Sequence, residues 1–147
     1  MAPVTHHLFV YGTLPPRHAP PEIAATVRRL RPVGSASVPG QLYDLGEYPG
    51  AVLSKTARSQ IRGEVFELPT DAKTLSSLDD YEGFEPAKPT SSLFVRRAWP
   101  VVMDDGTRLR CWVYVYNGDL RQAQPVRNGR YSRRRRARRS GTSSAAK

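Results

Sequence analysis

Two separated stretches hold the residue types that acid/base chemistry needs: Leu8-Phe9-Val10-Tyr11-Gly12-Thr13-Leu14 near the start and Leu78-Asp79-Asp80-Tyr81-Glu82-Gly83 past the middle. The first reads as an apolar strand halted by a glycine turn. Such a turn, Tyr11-Gly12-Thr13-Leu14, can present consecutive backbone N–H groups to a carboxylate or phosphate. The second places Glu82 where an acidic helix gives way to Gly83, at the end carrying roughly half a negative charge from the macrodipole. If Glu82 is also partly buried, its pKa rises, which suits a general base near neutral pH, and Asp79 and Asp80 push it the same way. Taken singly, each stretch has a plainer reading, an ordinary glycine turn and a solvated loop carboxylate.

The other reactive side chains are less informative. His6, His7 and His18 show no metal-ligand spacing, so no metal site is expected. Cys111 shares a strand face with valines and reads as a core thiol, and as the single cysteine it forms no intramolecular disulfide. Tyr114 and Tyr116 share one strand face and either line a pocket or pack. No Walker loop, dinucleotide fingerprint or Gly-x-Ser-x-Gly elbow is present, and no cofactor is expected.

The elements that must position these residues can be read from pattern. Residues 7–11 predict a strand buried on both faces. Pro20 and Pro21 suit the first turn of a helix running to about Arg31, with Ile23, Ala24, Val27 and Leu30 on one face and Gly34 past its end. Residues 35–67 predict β structure broken by turns at Pro39-Gly40 and Tyr48-Pro49-Gly50, with Gly63 marking a close backbone approach or a bulge. Thr70 is the expected N-cap of a helix over about 71–81, with Leu75 and Leu78 as its buried stripe. Leu93–Met103, the turn Asp104-Asp105-Gly106 and Arg108–Tyr116 predict a hairpin. The order specifies an α+β domain with a mixed or antiparallel sheet, of a kind that can curl into a small barrel.

Composition divides the chain in two. The net charge of +10 suggests nucleic acid, yet residues 1–120 hold 13 of the 23 Lys and Arg and all 13 Asp and Glu, and so are neutral. Residues 121–147 carry the other ten positive charges, including the run Arg133–Arg139. We therefore expect one domain over 1–120 and a basic, disordered tail over 121–147. The tail offers a weak contact with RNA or DNA through residues 127–139. No apolar run approaches the roughly 20 residues of a membrane span, and no signal peptide is evident, which makes a cytoplasmic protein the expectation.

Five segments in order carry a more specific signal: Phe9-Val10-Tyr11-Gly12-Thr13-Leu14, Tyr48-Pro49-Gly50, Gly63-Glu64-Val65-Phe66, Leu78-Asp79-Asp80-Tyr81-Glu82-Gly83 and Trp112-Val113-Tyr114-Val115-Tyr116. With them, residues 7–118 resemble the gamma-glutamylcyclotransferase-like family, which includes gamma-glutamylamine cyclotransferases. The resemblance implies a small mixed β-barrel with flanking helices and a cofactor-independent enzyme. It implies that Tyr11, Gly12, Thr13 and Leu14 hold the α-carboxylate of a γ-glutamyl substrate, that Tyr48 and Tyr116 complete the substrate site, and that Glu82 is the general acid/base. The implied reaction closes a γ-glutamyl-amine or γ-glutamyl-amino acid to 5-oxoproline and releases the amine. Pro15-Pro16-Arg17 departs from the Lys-Arg-Gly that often follows the loop in the amine-specific branch, and bears on substrate choice. The rival readings are a non-catalytic module of this fold tethered to polyanions by its Arg-rich tail, and hydrolysis or transfer of γ-glutamyl groups on a larger intermediate.

Overall fold

A computed structural model describes residues 5–11, 21–46, 49–121 and 123–126. The apolar and alternating segments become strands β1 (His7–Val10), β2 (Arg31–Asp44), β3 (Pro49–Leu53), β4 (Gln60–Glu67), β5 (Phe94–Met103), β6 (Arg108–Tyr116) and β7 (Gln124–Pro125). Two helices interrupt them, α1 (Pro21–Val27) and α2 (Ala72–Glu82).

Five strands close into a barrel in the order β2-β4-β1-β6-β5, and β5 returns to β2 through Ala36↔Met103 and Ser37↔Val102. All neighbours are antiparallel except β1 and β6, which run parallel with Leu8 opposite Trp112. The sheet is therefore mixed, as the sequence pattern leads one to expect. Alternation then sorts side chains to two cores. Phe9, Val38, Ile61, Val65, Val101, Cys111 and Val113 fill the barrel interior. Leu8, Val10, Phe66, Phe94 and Tyr114 point outward and are covered by Ile23 and Val27 of α1 and Leu78 of α2. β1 is buried on both faces because it lies between these two cores.

Four expectations need correction. The first helix ends at Val27 rather than near Arg31, and Arg31 already opens β2; Gly34 sits within that strand at a register shift between Pro32 and Gly34. Pro39-Gly40 makes no turn: β2 runs straight through and changes partner there, pairing with β4 up to Pro39↔Gln60 and with β3 from Gly40↔Leu53. The N-cap of α2 is Asp71, not Thr70, and its Oδ1 accepts the Thr74 N–H at 2.9 Å. The folded unit also passes residue 120, since β7 pairs with β2 and Val126 is 3% exposed within the interior core. Residues 127–147, with the proposed nucleic-acid contact at 127–139, lie outside the described residues.

Gly63 makes the close approach its position suggests. A Cβ there would lie 2.3 Å from the Val10 carbonyl oxygen and 2.8 Å from the Phe9 ring. Only glycine lets β4 press against β1 at the step where the chain leaves the barrel for Tyr11.

Candidate active site

The site is built where the end of β1 meets the end of α2. Helix α2 stops because Gly83 adopts a left-handed conformation, φ 75°, and its N–H caps the carbonyls of Asp79 and Asp80. Glu82 is thereby the last helical residue and sits half-buried. Loss of water around its carboxyl pushes the pKa up to about 7. The expectation of a raised pKa holds, with burial as the cause rather than the neighbouring aspartates.

Tyr11 follows β1 directly. Its hydroxyl donates to the carbonyl of Tyr114 at 2.5 Å and accepts the Ala51 N–H at 3.2 Å. Burial raises its pKa, and the nearby Glu82 carboxylate raises it further, against the lowering effect of the Ala51 N–H. The same carboxylate contributes to the upward shift of Tyr114, behind burial and the hydrogen bond and charge of Asp79. Tyr11, Tyr114 and Glu82 thus share one electrostatic neighbourhood, although more than 70 residues of chain separate Tyr11 from Glu82.

A buried polar cluster that the sequence reading missed lies beneath Glu82. Asp79 accepts Arg96 Nε at 2.8 Å and Nη2 at 3.1 Å, and also the Tyr114 hydroxyl at 2.7 Å. Asp79 enters the sequence reading only as a charge beside Glu82, yet it is 6% exposed. A carboxylate three residues before Glu82 on α2, with the pair Arg96-Arg97 in an otherwise apolar strand, was the available signal.

Tyr116 is half-buried and packs edge-on against Phe94, with ring centroids 5.4 Å apart. It lies beside Gly50, where an added Cβ would come within 2.9 Å of its own Cβ. Gly12, Thr13, Leu14 and Tyr48 lie outside the described residues. Cys111 is fully buried, and loss of water raises its thiol to about 12. Among the described residues no group of His, Cys, Asp and Glu could hold a metal ion, and no helix is long and apolar enough to cross a membrane.

A small mixed barrel with two covering helices, and a half-buried glutamate in the electrostatic neighbourhood of Tyr11, defines a class that comparison with known proteins makes specific. Residues 8–133 match the family described as gamma-glutamyl cyclotransferase, AIG2-like, and the chain belongs to that family. Its fold is similar to that of YkqA from Bacillus subtilis, with a TM-score of 0.66 and 22% identity, over 93% of this chain and 43% of that one. The chain thus spans less than half the length of YkqA. It is similar also to a gamma-glutamyl cyclotransferase, with a TM-score of 0.59 and 18% identity over 83% of this chain and 72% of that one. An AIG2-like protein from Mus musculus gives a TM-score of 0.58 and 21% identity over 78% and 79%. No curated protein sequence matches significantly.

Proposed function

We propose that the protein is a cyclotransferase that converts a γ-glutamyl-amine or γ-glutamyl-amino acid into 5-oxoproline and a free amine, with Glu82 as the general acid/base. Family membership supports a cyclotransferase-type function. The observation that carries the finer reading is the Glu82 carboxyl, raised to about 7 and within electrostatic reach of the tyrosine that opens the Tyr11–Leu14 turn.

The chemistry asks little else of the chain. The nucleophile belongs to the substrate: its α-amine attacks the γ-carbonyl, a C–N bond closes a five-membered lactam, and the γ-amide C–N bond breaks. Glu82 takes the proton that the attacking amine loses and gives it to the departing amine, so the carboxylate ends as it began. The protein must chiefly hold the substrate folded on itself, which can remove several kcal/mol of barrier. Backbone N–H groups of Gly12, Thr13 and Leu14 bind the α-carboxylate in this reading, with Tyr11 as the anchored residue before them and Tyr48 and Tyr116 beside the substrate.

The test is 5-oxoproline release from a panel of γ-glutamyl-amines, γ-glutamyl dipeptides and glutathione. We expect turnover of at least one substrate, and loss of at least 100-fold in Glu82→Gln with the circular-dichroism spectrum retained. No product from any panel member, or wild-type rates in Glu82→Gln, overturns the reading.

A further inference from the structure

We infer that Asp79, clamped by Arg96 and Tyr114, is a positioning residue that sets Glu82 and Tyr11 from one buried point. The inference rests on Glu82 being the acid/base. Its geometry is independent of that reading.

Arg96 grips the chain on both sides of Glu82. Its guanidinium forks onto Asp79, three residues before Glu82, at 2.8 and 3.1 Å, and lies 5.6 Å from the ring of Phe84, two residues after it. The Phe84 N–H closes the segment by donating to the Asp79 carbonyl at 2.9 Å. Arg96 itself lies over Trp112, with its Cζ 4.3 Å from the ring centroid. The helix end that carries Glu82 is therefore fixed to β5 and β6 by a planar, directional contact.

Tyr114 extends the contact to the other half of the site. Its hydroxyl donates to Asp79 at 2.7 Å, while its backbone carbonyl accepts the Tyr11 hydroxyl at 2.5 Å. Two hydrogen bonds, one at the Tyr114 hydroxyl and one at its carbonyl, link α2 to Tyr11 through this single residue. A buried ion pair is a poor way to gain stability, since apolar replacements usually do as well or better. What it supplies is fixed direction, and because Asp79 and Arg96 neutralise each other it adds no net charge beside Glu82. The charged and titratable groups around Glu82 among the described residues are Asp79 and Asp80 on α2, Arg96 from β5, Tyr114 from β6 and Tyr11 after β1.

The experiment uses the full chain and two readouts. Tyr114→Phe removes one oxygen and leaves the ion pair, and Arg96→Lys keeps the charge but not the fork. Both should lower kcat roughly ten- to a hundred-fold with KM within about three-fold and the fold intact. The second readout is the titration midpoint of the Glu82 carboxyl, followed by carbon-13 NMR. Asp79→Asn strands the Arg96 cation and should move the midpoint down; Arg96→Gln strands the Asp79 anion and should move it up. Wild-type kcat in both conservative variants, or an unmoved Glu82 midpoint in both charge variants, overturns the inference. If Asp79→Asn does not fold, Tyr114→Phe, Arg96→Lys and Arg96→Gln decide. If the wild type releases no 5-oxoproline, the cyclotransferase reading fails separately, and the two opposed midpoint shifts still decide the positioning role.

Discussion

In its proposed role, Glu82 joins function to instability in a single group. Its carboxyl binds a proton more tightly in the folded protein, at about 7, than the ordinary 4.5 of a solvated glutamate. The proton-bound form is therefore favoured by folding, and that contribution is whole below about pH 4.5 and lost as pH rises through about 7. Above pH 7 the protein holds a half-buried carboxylate that resists burial. Glu82→Gln should gain about 1–3 kcal/mol of unfolding free energy at pH 8, with the gain gone near pH 4.5, as read by urea titration at both pH values. The proposed catalysis has the opposite dependence, because a base must be unprotonated. The acid limb of kcat/KM should fall through half its maximum near pH 7 rather than near 4.5. A limb near 4.5 would mean that a solvated carboxylate does the work.

Elements decide where that residue stands, and here the sequence was legible in some places and silent in others. Helix α2 could be read to within one residue because its signals are local: Asp71, next to the expected Thr70, caps its start and Gly83 its end. The hairpin of β5 and β6 was legible for the same reason, with Gly106 at φ 91° in its turn. The end of α1 and the unbroken run of β2 were not. Pro39-Gly40 carries turn chemistry, but pairing to β4 on one side and β3 on the other holds the strand through it. Asp79 escaped notice because its partners, Arg96 and Tyr114, lie 17 and 35 residues away. Gly83→Ala tests the local part. Open space surrounds the site, where the nearest atom to an added Cβ is Leu93 Cβ at 3.9 Å, so the loss should be backbone strain alone, about 1 kcal/mol. Thermal unfolding should show that small loss beside a larger fall in kcat, since the strain falls on the residue after Glu82. Gly63→Ala should be far worse, by about 2–4 kcal/mol, because a Cβ there meets backbone rather than space.

At the scale of the whole molecule, the folded body continues past residue 120 and includes Val126. The sequence hid this because one valine in a polar, basic segment has no periodicity to announce it. Pairing with β2 supplies what pattern could not: Val126 N–H donates to the Leu42 carbonyl at 2.7 Å, and its own carbonyl accepts Gln41 Nε2 at 3.2 Å. Its side chain reaches the interior core beside Leu42 and Ala51. A chain ending at Val126 keeps all of these contacts, whereas one ending at Leu120 loses them together with the β7 ladder. Burial of one valine contributes about 1.5–3 kcal/mol, and the two hydrogen bonds about 1 kcal/mol each. The chain ending at Leu120 should therefore unfold about 3–5 kcal/mol more easily than the chain ending at Val126, measured by denaturant titration of the two side by side. Equal stability would mean that β2 holds its far end without β7. Because β3, which pairs with that same end of β2, carries Ala51, whose N–H holds the Tyr11 hydroxyl, the shorter chain should also lose turnover while the longer one retains it.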